Sequence, residues 1–238
     1  MPVPTKSVED WMKTLILKGL DGTLSQRDFN QFLSEWKSVK TSATWMKYRK
    51  EVSWTPYTTE YLDSLANLLD GNRVLHVYAR NGVLAAHMQK RGVQWLPIQK
   101  PQEEESYNPK GACPVAPVPI AEALRMYSPT VIFGDWLPRG KTYDYDLTVH
   151  GLPMVLVTEE YGGKCGSSQL WEHGANGTTG VAPDVGYSIV SLESTSSFTE
   201  APNWHGNNAK TVMVLPRGSA LITPNKAAFA GPPVRQVG

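Results

Sequence analysis

The stretch RVLHVYARNGVLAAHMQKRG, from Arg73 to Gly92, decides the fold because it reads as a strand, a tight turn and a helix. A short apolar run typical of a buried parallel strand comes first: Val74, Leu75 and Val77. Apolar residues then recur at helical spacing behind Gly82: Leu84, Ala85 and Met88. The segment therefore predicts one strand-turn-helix unit of an α/β protein.

The chain around this unit alternates in the same way. An apolar helical pattern from 61 to 69 leads into it, and further helices are predicted at 83–90 and 120–127. Candidate strands are 93–98, 130–135, 154–158, 188–192 and 211–215. A proline-rich and charged segment after the second strand, KPQEEESYNPKGACPVAPVP, is predicted to replace a strand and helix with a surface excursion.

The unit resembles the first motif of the class I S-adenosylmethionine-dependent methyltransferases, in which a Gly-x-Gly-x-Gly turn joins a strand to a helix. The three glycine positions fall at Tyr78, Arg80 and Gly82, and His76 stands where the family has an acid. The resemblance extends over roughly residues 57–218. It implies a Rossmann-like α/β fold, with a mainly parallel sheet and an antiparallel edge strand, and S-adenosylmethionine as the cofactor of an active member.

The cofactor-binding positions have changed in this chain. Glycine permits positive φ and close approach of a ligand, so Tyr78 and Arg80 should fill the cofactor's space. At the end of the second strand, Gln99 replaces the ribose-binding acid, and the loss of that charge-assisted bond weakens binding by about tenfold. The sequence therefore predicts a degenerate loop formed by Tyr78, Arg80, Gly82 and Gln99, with no bound cofactor.

These changes favour a catalytically degenerate, methyltransferase-like binding or scaffold protein. One alternative is an active S-adenosylmethionine-dependent methyltransferase with an atypical cofactor loop, in which Asp135 and Glu159 would position the substrate. Another is a non-methylating enzyme that reuses the pocket. Asp135 ends a predicted strand in TVIFGDWLP, where the resemblance implies a substrate pocket. Glu159 follows a predicted strand in MVLVTEEYGG, which resembles the family's fifth strand and the loop after it.

Three parts are predicted: an N-terminal helical extension at 1–56, the α/β domain at 57–222 and a flexible tail at 223–238. Ser25 and Asp28 have the spacing of a cap at the start of the second helix. The extension is rich in tryptophan, a common anchor of protein interfaces. Binding of a protein partner, or self-association, is predicted there through Trp11, Trp36, Trp45 and Trp54.

Composition and charge limit which other functions the chain can have. A net charge of +1 argues against a wholly nucleic-acid-binding or membrane-binding surface. The basic and aromatic residues between 36 and 54 leave nucleic acid as a less favoured partner than protein. The two cysteines and five histidines have no metal-type spacing, and no metal site is expected. The sequence lacks a secretory signal pattern and a membrane-spanning apolar run, so an intracellular, cytoplasmic location is the default expectation.

Overall fold

The computed structural model describes residues 8–36, 48, 52, 56–99, 112–138, 141–159, 165–173, 175–176, 186–192, 209–216 and 219. The tail predicted at 223–238 lies outside these residues, as do Trp45, Trp54 and the side chain of Trp36. No described helix is long and apolar enough to cross a membrane.

The helices are α1 (Val8–Asp21), α2 (Gln26–Trp36), α3 (Thr59–Leu68), α4 (Val83–Lys90), α5 (Ile120–Tyr127), α6 (Tyr143–Asp146) and α7 (Ser168–His173), with a 3-10 turn at Leu147–His150. The strands are β1 (Arg73–Val77), β2 (Gln94–Ile98), β3 (Val131–Asp135), β4 (Met154–Glu159), β5 (Ala175–Asn176), β6 (Tyr187–Ser191) and β7 (Ala209–Pro216). The helices predicted at 83–90 and 120–127 are confirmed at both ends, and the predicted strands match within two residues. The two-residue strand β5 was not predicted from the sequence.

The seven strands form one sheet in the order β2-β1-β3-β4-β7-β6-β5. The pairings among β1, β2, β3 and β4 are parallel, whereas β7 is antiparallel to both β4 and β6. The predicted fold class, a mainly parallel sheet with an antiparallel edge strand, is confirmed, and the antiparallel strand β7 lies two strands in from the edge. At the opposite edge, the described part of the proline-rich segment, from residue 112, contributes a single parallel bridge between Ala116 and Ile98.

The N-terminal helices belong to the main hydrophobic core. Leu15 of α1 and Phe29 of α2 are buried in the same cluster as Leu65 of α3 and Val74 of β1. Backbone contacts support this packing, since the Thr59 N–H donates to the Leu24 carbonyl. The boundary predicted at residue 56 stays a prediction, but the hydrophobic cluster continues across it.

Helix α2 begins as the sequence predicts. The Ser25 hydroxyl accepts a hydrogen bond from the Asp28 N–H at 3.0 Å, and the Asp28 carboxylate accepts one from the Ser25 N–H at 3.4 Å. This reciprocal arrangement satisfies backbone donors that have no partner within the helix. It fixes where the chain turns from α1 into α2.

Candidate functional site

The loop between β1 and α4 keeps the backbone of a glycine-rich turn although two of its glycine positions carry side chains. Tyr78 has φ 57° and Arg80 has φ 53°, both in the left-handed region that favours glycine, and Gly82 has φ 71°. For a residue with a Cβ, this conformation costs about 1 kcal/mol. The side chains at 78 and 80 must therefore gain contacts that hold them there.

Tyr78 gains such a contact from the segment after β3. Its ring stacks on that of Tyr143, with ring centroids 4.9 Å apart and an angle of 27° between the planes. The Tyr78 side chain is buried as a result. It lies over the turn, beyond the carboxyl end of β1.

Arg80 crosses from the loop to the end of the neighbouring strand β3. One of its Nη atoms donates to the Trp136 carbonyl at 2.8 Å, and its backbone N–H donates to Gln99 Oε1 at 3.2 Å. Trp136 itself has φ 51°. Three non-glycine residues with positive φ therefore lie in this loop or next to it: Tyr78, Arg80 and Trp136. The structure thus places Arg80 in contact with Gln99 and with the end of β3, while Tyr78 contacts Tyr143.

Gly82, the retained glycine, is required by close packing of the backbone. A Cβ at this position would lie 2.0 Å from the carbonyl oxygen of Cys113. The Cys113 N–H also donates to the Gly82 carbonyl at 3.2 Å, which ties the proline-rich segment to the start of α4. The segment therefore lies directly against the loop.

Beneath the loop, buried polar side chains join β2, β1 and β3. The Trp95 indole N–H donates to His76 Nδ1 at 3.1 Å, and His76 Nε2 lies 3.0 Å from Asp135 Oδ1. Because an indole N–H can only donate, Nδ1 must accept, and the ring proton lies on Nε2 and is donated to Asp135. The Tyr57 hydroxyl donates to the other Asp135 oxygen at 3.4 Å.

This network determines the state of Asp135, one of the two candidate catalytic residues. Burial raises the pKa of its carboxyl, but the hydrogen bond from His76, the charge of Arg80 and the Tyr57 hydroxyl together bring the pKa below its usual value. Only 3% of Asp135 is exposed. The residue is therefore an ionised carboxylate that is committed to protein donors and closed off from solvent.

Glu159, the other candidate, ends β4 and is also buried. Burial, and to a lesser extent the nearby Glu159, raises the pKa of the neighbouring Cys165 thiol to about 12. Cys165 is therefore not a thiolate nucleophile at neutral pH. Close by, Ser167 donates its N–H and its hydroxyl to Asp144, which fixes the turn before α7. The side chains around Glu159 are therefore buried, and the hydrogen bonds of Ser167 and Asp144 hold the backbone in place.

A cavity of about 260 Å³ opens beside Tyr78 at the carboxyl end of β2. Its wall is mostly apolar, and Asp146 and His150 are exposed at its edge. The lining residues are Tyr78, Ile98, Val118, Pro119, Ile120, Tyr143, Asp146, Leu147 and His150. Among the described residues, no group of three or more His, Cys, Asp or Glu side chains could hold a metal ion.

Sequence reasoning missed the His76–Asp135 pair and the cavity. A signal for the pair was present, because β1 and β3 are neighbours and the carboxyl ends of parallel strands meet at one edge of the sheet. No comparable signal pointed to Tyr143 or His150, which lie in the short helix α6 and the 3-10 turn after β3. Of the predicted partner-binding tryptophans, Trp11 is the one whose side chain the structure describes, and it is half-buried against the core.

No family model matches the chain, and no curated protein matches its sequence. Among solved structures, the chain is similar to a mutant of MtNAS in complex with S-adenosylmethionine, with 11% identity and a TM-score of 0.38. The match covers 88% of this chain and 77% of the other. A likeness at this level carries no detail of a site, so the fold is assigned from the order and direction of the strands.

The parallel strands β1 to β4, followed by an antiparallel strand inserted between β4 and β6, decide the assignment. The fold is class I methyltransferase-like. In open α/β sheets, ligands generally bind at the carboxyl ends of the strands, which here include the turn after β1 and the end of β2. Tyr78, Arg80 and Gln99 all lie at that edge.

Proposed function

We propose that this chain is a methyltransferase-like binding or scaffold protein that does not transfer methyl groups. The observation that carries the proposal is the loop after β1, where Tyr78 and Arg80 keep the glycine-like backbone while their side chains are anchored across the turn. A cofactor would have to displace a stacked ring and a guanidinium hydrogen bond. Gln99 would offer it no carboxylate in return.

The burial of Asp135 supports the same proposal. A residue that positions a substrate must reach it, but the Asp135 carboxylate already accepts hydrogen bonds from His76 and Tyr57. Removing a buried carboxylate from such donors costs several kcal/mol. Its role is therefore to bind β1 to β3 beneath the loop.

The direct test is a calorimetric titration of the purified protein with S-adenosylmethionine and with its demethylated product. We expect no saturable binding below about 100 μM, which corresponds to about 5.5 kcal/mol of affinity. Transfer of a labelled methyl group to any acceptor, or a saturable isotherm in that range, would contradict the proposal.

The partner surface of the proposal lies on the N-terminal helices. Leu17 of α1 is 61% exposed, and the half-buried Trp11 lies on the same helix. Tryptophan side chains such as Trp11 are frequent anchors in protein interfaces. We expect Leu17→Ser to reduce self-association in sedimentation velocity, whereas Met126→Ser on α5, which is 60% exposed, should not. If the two variants self-associate equally strongly, α1 is not the surface through which the protein self-associates.

An active methyltransferase with an atypical loop is the second candidate. It is favoured by the positive φ values at 78, 80 and 82 and by the cavity beside Tyr78. In that case the Tyr78 ring would have to swing away from Tyr143 when the cofactor binds. The same titration separates the two functions, because this candidate requires saturable binding.

A further inference from the structure

The cavity beside the loop has the shape and lining of a site for a flat aromatic molecule. The stacked rings of Tyr78 and Tyr143 contribute to its wall, and the side chains of Ile98, Val118 and Leu147 add aliphatic surface. Aromatic rings pack well against such surfaces in offset or edge-on arrangements. Ligand sites in proteins generally combine an apolar wall with a few polar groups that orient the ligand.

The volume limits the size of the occupant. A dry protein cavity of ~150 Å³ holds one benzene ring. The 260 Å³ available here can therefore enclose about a two-ring system, and a larger ligand would extend beyond the cavity mouth.

The charges at the edge determine which substituent the ring should carry. Asp146 supplies a carboxylate, held by a hydrogen bond from the Thr142 hydroxyl at 2.8 Å, and no Lys or Arg occurs among the described residues that line the cavity. The N-terminus of α5, at Ile120, also meets the cavity, but a helix terminus contributes only about half a positive charge. The full charge of Asp146 outweighs it, so a cation is preferred over an anion.

We propose that this cavity binds a small, flat aromatic molecule that carries a protonated amine. The inference rests on the proposed function, since it names a ligand that the protein would bind without methylating it. The ring lies against Tyr78 and Tyr143, and the amine lies near Asp146. His150, which is also exposed at the edge, supplies a further polar contact.

The experiment uses three probes that share one ring and differ in charge: tryptamine, indole and indole-3-propionate. Each is titrated into the full-length protein by calorimetry, and amide shifts of Val118, Ile120 and Leu147 report where it binds. We expect saturable binding of tryptamine below about 1 mM, with weaker binding of indole and weakest binding of indole-3-propionate.

Variants assign the contacts. Tyr143→Ala should weaken tryptamine binding by about tenfold, whereas Tyr143→Phe, which keeps the ring stack, should bind as the unchanged protein does. Asp146→Asn should reduce the preference for tryptamine over indole-3-propionate by about threefold, as expected for an exposed charge pair. Asp70→Asn, an exposed acid before β1 at the other end of the strand, should leave that preference unchanged.

The inference is overturned if tryptamine does not bind, if indole-3-propionate binds equally well, or if Tyr143→Ala has no effect. None of these results bears on the proposed function, whose own test is the titration with S-adenosylmethionine. Binding of that cofactor, conversely, would contradict the proposed function without deciding whether tryptamine binds.

Discussion

The two halves of the loop after β1 share a glycine-like backbone, but only one half retains a glycine. Tyr78 and Arg80, in the first half, have φ values of 57° and 53°, close to the 71° of Gly82 in the second. At Gly82 a Cβ would lie 2.0 Å from a backbone oxygen, whereas the side chains at 78 and 80 project into space that they fill. Backbone conformation is therefore not what separates the two halves.

The comparison shows why one glycine remains. Gly82 is needed by the protein itself, because the Cys113 backbone packs against it. Glycines at 78 and 80 would relieve the strain of the positive φ values and leave room for a ligand, but no backbone atom of the described residues is known to require them there. The large side chains at these positions are therefore compatible with the proposed function, in which no cofactor occupies the loop.

The largest effect is predicted for Gly82→Ala. The added methyl group combines an unfavourable φ with a backbone collision, so the free energy of unfolding should fall by about 3 kcal/mol or more. Gly71→Ala is the matched control, since Gly71 has φ 73° and nothing within 4 Å of a built Cβ, and it should cost about 1 kcal/mol. Urea unfolding of both variants measures the difference, and equal losses would refute the packing role of Gly82.

Asp135→Asn tests the network beneath the first half of the loop. Loss of the carboxylate weakens the bond from the His76 N–H, and we expect a cost of about 2 kcal/mol at pH 7. Because the pKa of Asp135 is lowered in the folded state, its contribution is present above the ordinary value of 3.8 and is lost as the pH falls through the folded-state value.

The difference in unfolding free energy between this variant and the unchanged protein should therefore shrink when denaturant titrations are repeated towards pH 3. A difference that stays constant with pH would show that Asp135 contributes through packing alone.

The sequence predicted the elements that depend on local patterns. The apolar run at 74–77 and the helical spacing behind Gly82 are local signals, and both elements form where expected. The capped start of α2 at Ser25 and Asp28 is local in the same sense. Motif comparison also located the altered loop positions 78 and 80.

The rest of the site depends on contacts between distant segments. The stacking of Tyr78 on Tyr143 and the Arg80 bond to Trp136 join residues more than fifty positions apart. Nor does the sequence reveal that Tyr78 and Arg80 keep positive φ, because residues of these types normally avoid that region. Such features follow from the tertiary structure.

A smaller effect is predicted for His87, beside another glycine with positive φ. A Cβ at Gly22 would lie 2.8 Å from His87 Nδ1, and His87 Nε2 lies 2.8 Å from the Gly19 carbonyl oxygen of α1. Burial lowers the pKa of His87 below its ordinary 6.5, so its neutral form stabilises the packing of α1 above that pH. This contribution is lost as the pH falls below 6.5 towards the folded-state pKa.

We expect the unchanged protein to lose about 1 kcal/mol more between pH 7 and pH 5 than His87→Gln does. Chemical unfolding at both pH values measures this loss. If the stability of His87→Gln depends on pH as strongly as that of the unchanged protein, another group causes the dependence.

The central claim is that Tyr78 and Arg80 occupy the space a cofactor would need. Tyr78→Gly combined with Arg80→Gly removes both side chains and relieves two strained φ values, but loss of the buried Tyr78 ring outweighs that relief, so the free energy of unfolding should fall by about 1 to 3 kcal/mol. Titrating the variant and the unchanged protein with S-adenosylmethionine under identical conditions is the most direct test. The account predicts binding at least about tenfold tighter in the variant. Equal saturable binding by both proteins would contradict it.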